Sequence, residues 1–300
     1  MLASLSENTI KQYNTYLKQW YEYCINLSID YFQVSVPHVL SFLTKLYEDG
    51  AVYSSLNCCR SALSLLVGTK ITNDDRVARF LKGVFRLRPP HPKYDITWDP
   101  SIVLNYFSNK GENTQLTLEE ISKKLITLLA IITAHRAQTF SLIKLNNIET
   151  YTDKVLIKIP DHIKTSRPGS VQPSLVLPFY TNNTKICPAS AILNYIDRTS
   201  SIRNCENLFI AFKKPHKAVT AQTLSRWVKS TLKSSGIDVN IFSAHSTRHA
   251  ATSAAKRLGV NIDTIRRTAG WSSSSKVFAQ FYNRDIITNQ DFSVILNSVS

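Results

Sequence analysis

Apolar residues recur at helical spacing through the first part of the chain. Ile10, Tyr13, Leu17 and Tyr21 mark one face of a helix over 6–24. A second helix fits SVPHVLSFLTKLYED (35–49), with Gly50 after its end. Pro37 falls in its first turn, where the missing N–H has no helical partner to lose. A third fits 53–66 and stops before Gly68, and a fourth fits 74–87, opened by Asn73 or Asp74. In the fourth, Arg76, Arg79, Lys82 and Arg86 recur at steps of three and four and so share one face. That stripe reads either as a phosphate-contacting surface or as a solvated helix face. The segment RPPHPKYDITWDP (88–100) breaks the pattern, because its prolines stiffen the chain toward extended conformations. It reads as a linker.

Beyond it, Thr117 and Glu120 form a Thr-x-x-Glu capping box for a long apolar helix over 118–134. The period then changes. KVLIKIP (154–160) and SLVLPF (174–179) are β-rich and flank the turn-rich segment DHIKTSRPGSVQP, which predicts a hairpin with a long basic tip. From Pro188 onward the pattern is helical again, apart from breaks at 199–206 and 213–219. The expected fold is mainly α with a small antiparallel β-sheet.

Composition narrows the partners. The chain has 300 residues, 43% of them hydrophobic, which is enough for a real core. Its formal net charge is +15, and a pI near 9.6 favours an anionic partner such as nucleic acid. The excess is uneven: residues 1–100 carry net +2 and residues 101–300 carry net +13. The longest apolar runs, such as LITLLAIITA (125–134), fall short of the ~20 residues a membrane-spanning helix needs. No secretory signal is visible at the N-terminus. The five cysteines form no CxxC pair, so reduced thiols are expected and a zinc site is not.

Chemistry concentrates in SAHSTRHAATSAAKRLGVNIDTIRRTAGW (243–271). Its second half resembles a helix-turn-helix, with a turn at Gly259 and a second helix carrying Arg266 and Arg267 as candidate DNA contacts. In the first half, His245 and Arg248 lie three apart on one helical face, which suits a phosphate site better than a core. His249 adds a His-x-x-x-His spacing. Position 246 is Ser where a zinc-protease helix carries Glu, and no third ligand is apparent, so no metal is expected. Thirty-four residues after Arg248 stands Tyr282, in KVFAQFYNRD.

With this set in place the sequence resembles the tyrosine recombinase (phage integrase) family. The early arginine of that family matches Arg136, in TAHRAQTFSLIKL, and its hairpin lysine matches Lys164, in IKTSRPG. His245 and Arg248 fill His-x-x-Arg, Trp271 fills the His/Trp position, and Tyr282 fills that of the nucleophile. One departure stands out: Thr139 occupies a place where many relatives carry an acidic residue. The IKTSRPG and RAQT contexts resemble those of DIRS-type and Crypton-type mobile-element recombinases. On that analogy the protein is nuclear; if bacterial, it is cytoplasmic.

The resemblance implies a SAM-like core-binding domain over 1–88, a linker over 89–100 and a catalytic domain over 101–300. It implies double-stranded DNA as partner, with a homo-tetramer on DNA built from a dimer per site, and no cofactor and no membrane. It further implies that Tyr282 attacks a phosphodiester to form a 3′-phosphotyrosyl intermediate. Arg136 and Arg248 would then clamp the non-bridging oxygens, and Lys164 would protonate the leaving 5′-oxygen, with Lys158 as runner-up. His245 would assist proton transfer or bind the phosphate. Trp271 would donate its indole N–H to a phosphate oxygen, or simply pack as a core tryptophan. Arg76, Arg79, Lys82, Arg86, Arg167, Arg266 and Arg267 are the candidate DNA-backbone contacts. Val277 and Phe281 are expected to anchor the tyrosine helix, and the tail 286–300 is expected to dock on a neighbouring subunit. Three rival readings remain: a type IB topoisomerase, a catalytically inactive transposon-derived DNA-binding protein, and a helix-turn-helix regulator. The last would explain only residues 250–271.

Overall fold

The computed structural model describes residues 4–91, 93–166, 169, 171–271 and 282–286. Arg167, Val277, Phe281 and the tail beyond residue 286 lie outside the described residues. The chain forms two compact units, Met1–Lys93 and Tyr94–Ser300.

Among the described residues, five α-helices build the first unit: α1 (Glu7–Asn26), α2 (Val36–Glu48), α3 (Tyr53–Val67), the short α4 (Thr69–Thr72) and α5 (Asp75–Leu87). Local signals set their ends. The Ser6 and Asp74 side chains accept backbone N–H groups at the starts of α1 and α5, and Gly68 ends α3 at φ +82°. Apolar faces meet in a core of Trp20, Cys24, Val39, Phe42, Leu43, Leu56, Cys59, Leu63, Val77, Leu81 and Val84. The short α4 has no counterpart in the sequence pattern. Arg76, Arg79, Lys82 and Arg86 are all exposed, while Val77, Leu81 and Val84 turn inward from the same helix.

The second unit opens with a two-residue strand β1 (Ile96–Thr97), then α6 (Pro100–Ser108) and the long α7 (Leu118–Thr133). The Thr117–Glu120 capping box forms as expected: Thr117 Oγ1 accepts the Glu120 N–H, and Glu120 Oε2 accepts the Thr117 N–H. A short α8 (Ala137–Ser141) leads to β2 (Ile148–Thr150), β3 (Lys154–Lys158) and β4 (Ser174–Pro178), an antiparallel sheet in the order β2-β3-β4. Val155, Ile157, Leu175 and Leu177 alternate inward and join the core around α7. Then come α9 (Pro188–Thr199), α10 (Ala221–Ser234), α11 (Ser246–Arg257), α12 (Ile262–Thr268) and β5 (Asp285–Ile286).

Three sequence expectations need correction. The 88–100 segment is not simply a connector: Tyr94 and Trp98 are buried in the second unit, and Trp98 Nε1 donates to Ser246 Oγ at 2.8 Å. The hairpin gains a third strand, β2, too short to show a period. Residues 207–212, expected as helix, instead hold Asn207 and Ile210 in β-bridges to Lys144 and Ala218, the latter inside the expected break. Among the described residues no helix is long and apolar enough to cross a membrane, and no His, Cys, Asp or Glu cluster could hold a metal.

Candidate active site

The site is built around the end of α7, the start of α11 and the segment after α12. Ala134 ends α7 in the left-handed region, at φ 50° and ψ 22°. That conformation costs an alanine about 1 kcal/mol or more. The turn aims the Ala134 carbonyl at Arg248, whose Nη1 donates to it at 2.7 Å. Arg248 Nη2 donates to the Ala269 carbonyl at 2.8 Å. Arg248 is only 2% exposed, so two main-chain carbonyls hold its guanidinium where water cannot. Burial, reinforced by the charge of Arg136, pulls Arg248 down to about 9, against the opposing influence of Tyr282. It therefore stays a cation at neutral pH, and its Nε has no hydrogen-bond partner among the described residues.

Arg136 caps the start of α8, one residue past the buried His135. It lines a small cleft with His135, His245, Arg248, Ser225 and Thr247. The cleft therefore brings Arg136, His245 and Arg248 together, as a phosphate site requires. His135 is pushed down to about 4, chiefly by burial and then by the two arginines. It contributes a neutral imidazole, with a hydrogen bond to the Thr268 backbone.

Tyr282 lies against this group. Its Oη is 2.9 Å from His245 Nε2, and its ring lies beside Trp271, with centroids 4.8 Å apart. The Arg248 guanidinium sits 4.3 Å from the Trp271 ring centroid and 5.4 Å from that of Tyr282. Tyr282 is 8% exposed. Its main chain is fixed twice. Ser253 Oγ donates to the Tyr282 carbonyl at 2.7 Å and accepts the Arg284 N–H at 3.0 Å. Next to it, β5 pairs in parallel with β1, Ile96 opposite Asp285 and Thr97 opposite Ile286.

Lys164 is placed differently. It is exposed on the segment between β3 and β4 and makes no hydrogen bond or ion pair among the described residues. The segment is tied down around it: Ile159 N–H donates to the Pro173 carbonyl, Ile163 is buried, and Ser166 bonds Gln172. The runner-up Lys158 is engaged elsewhere, in an ion pair with Glu149. Arg266 bonds Asp263 at 3.1 Å, and Arg267 is exposed on α12. Thr139 is buried in α8, where its N–H bonds the Arg136 carbonyl.

Sequence reasoning found no role here for four residues that shape this site, weighing His249 only for a metal spacing. His249 stacks on Tyr282, Ser253 pins its backbone, and His135 packs under the arginines. Gly270, at φ +66°, is the fourth: a Cβ there would lie 2.8 Å from His135 Cε1. Only the spacing of 245, 249 and 253 on one helix face signalled any of them.

The sequence model of the phage integrase family matches residues 108–286. The chain belongs to the phage integrase family. Solved structures share the integrase fold. The XerH site-specific recombinase bound to difH, in a pre-cleavage complex, aligns over 97% of this chain and 79% of its own, at TM-score 0.60 and 14% identity. A lambda integrase dimer bound to a COC′ core site aligns over 96% and 92%, at TM-score 0.56 and 13% identity. The Tn1549 transposon integrase in complex with transposon right end DNA aligns over 89% and 85%, at TM-score 0.53 and 16% identity. Identities this low speak for the fold alone. No curated protein sequence matches the chain.

Proposed function

We propose that this integrase-family protein is a site-specific DNA recombinase that cuts and rejoins strands through Tyr282. One observation carries the reading: a phenol hydroxyl 2.9 Å from His245, beside a cleft that holds Arg136 and the buried Arg248. That arrangement serves in-line attack on a phosphodiester. Tyr282 Oη bonds to phosphorus as the P–O5′ bond breaks, its proton passes to His245 or solvent, and the 5′-oxygen takes a proton from Lys164. The product is a 3′-phosphotyrosyl linkage and a free 5′-hydroxyl. Attack by a 5′-hydroxyl reverses the step and restores the phenol, so rejoining needs no nucleotide cofactor. The two arginines hold the charge that builds on the non-bridging oxygens.

Fold similarity to recombinases solved as DNA complexes supports DNA as substrate, and their dimeric and tetrameric forms support a dimer on each site and a tetramer for exchange. Residues 1–88 act as the core-binding half of the DNA clamp, with the Arg76–Arg86 stripe on the phosphates. The IKTSRPG and RAQT contexts support a mobile-element recombinase of the DIRS or Crypton type, which would act in the nucleus.

The test uses a nicked suicide duplex built on a sequence the protein selects from a random pool. A covalent adduct that forms in EDTA, leaves a 5′-hydroxyl and vanishes in Tyr282→Phe while binding persists supports the reading. Absence of any adduct on DNA the protein binds overturns it. Relaxation of supercoils by the monomer without strand exchange would redirect it to a topoisomerase.

A further inference from the structure

We propose that His249 is a positioning residue for this reaction, its imidazole holding the Tyr282 phenol face-on so that the hydroxyl stays on His245. The proposal rests on the reading of Tyr282 as nucleophile.

The His249 and Tyr282 rings stack at a centroid distance of 4.2 Å and an interplanar angle of 22°. A hydrogen bond to His245 restrains only the tip of the phenol, which can still rotate about its own axis and swing about χ1. A flat ring laid against its face removes that freedom, and orientation set in advance in this way is a recognised source of rate.

His249 is itself clamped. The Tyr94 ring meets it edge-on at 5.1 Å and 78°, and the His245 ring does so at 5.6 Å and 79°. Tyr94 Oη in turn bonds Ser243 Oγ at 2.7 Å and accepts the Ser243 N–H at 3.2 Å. The contacts form a closed circuit: Ser243 fixes Tyr94, Tyr94 fixes His249, His249 fixes the plane of Tyr282, and the Tyr282 hydroxyl returns to His245, two residues from Ser243. His249 is 7% exposed and two helix positions behind the cleft-lining Thr247, so it acts through the tyrosine and not on the phosphate.

Three substitutions separate stacking from volume and from imidazole chemistry: His249→Phe keeps a flat ring, His249→Leu keeps bulk without one, and His249→Ala removes both. Single-turnover adduct formation on the suicide duplex should slow roughly 2- to 12-fold in the Leu and Ala variants, the range an aromatic pair supplies, with DNA affinity unchanged. The Phe variant should recover the rate. A second readout needs no DNA: with ring-¹³C tyrosine, the Tyr282 resonance (identified by its loss in Tyr282→Phe) should move in the Leu and Ala variants and stay near its place in the Phe variant. A Leu variant that matches the wild type in rate and resonance overturns the proposal. So does a folded Phe variant as slow as Leu, which would assign the role to the ring nitrogens. If the wild type forms no adduct while the resonance still follows the variants, the nucleophile reading fails and the packing of Tyr282 by His249 stands.

Discussion

Helix α5 and the first turn of α11 both carry arginine, and they use it in opposite ways. In α5, Arg76, Arg79, Lys82 and Arg86 face solvent, and only Val77, Leu81 and Val84 are buried. In α11, eight consecutive residues, Ser246–Ser253, are buried, Arg248 and His249 among them. An exposed cation is stabilised by water and can be exchanged for another at little cost. A buried one is costly unless the surrounding main chain replaces that water, as the Ala134 and Ala269 carbonyls do for Arg248. The difference separates surface charge that water already satisfies from a fixed, oriented charge.

The largest effect expected from that contrast is at Arg248. Arg248→Ala should cost about 10²–10³ in single-turnover adduct formation, as loss of an oriented charge stabiliser does. It should also lower stability by about 1–3 kcal/mol through the stranded carbonyls, read from the urea midpoint. A variant with wild-type stability would mean the carbonyls find other partners.

Replacing Arg76, Arg79, Lys82 and Arg86 with Ala should leave stability within about 0.5 kcal/mol. It should flatten the salt dependence of DNA affinity by about one unit of log–log slope for each phosphate the protein ceases to neutralise, while the rate from the bound state stays unchanged. An unchanged slope would return the stripe to a plain solvated face.

Lys124, fully buried in α7, sharpens the comparison from the other side. Its Nζ has no hydrogen-bond partner among the described residues and lies 5.9 Å from the Phe107 ring centroid. Burial pulls it down from 10.5 to about 8. The unfolded chain therefore holds that proton between about pH 8 and 10.5 while the folded chain has released it, so this contribution to stability rises with pH across the window. Lys124→Met should raise stability at pH 7 by about 1–3 kcal/mol and remove the rise, as denaturant titrations at several pH values would record. A smaller change than that at Lys124 is expected for Gly270→Ala, where the positive φ and the crowding of His135 predict a loss of about 1–2 kcal/mol in thermal unfolding.

Much of this was legible in the sequence because it rests on local rules. Spacing and caps located α1, α2, α3, α5 and α7, and alternation located β3 and β4. The ordered set from Arg136 to Tyr282 pointed to the integrase family. What stayed hidden depends on contacts across the fold. Two-residue strands such as β1 and β5 have no period of their own and exist only as a pair. Nothing local says that Ser253 will bond the Tyr282 carbonyl, that His249 will stack on its ring, or that His135 needs a glycine opposite. Lys124 was hidden for a different reason: two adjacent lysines in an apolar helix both look solvated until packing is seen to cover Lys124 and leave Lys123 partly exposed.

On the proposed reading Tyr282, set on His245 beside Arg136 and Arg248, is the group that joins DNA. Peptide mapping by mass spectrometry of the covalent adduct tests it most directly. The expected result is a nucleotide remnant on the Tyr282 hydroxyl, attached through a 3′-phosphate. A remnant on any other side chain, or an adduct that persists in Tyr282→Phe, would contradict it.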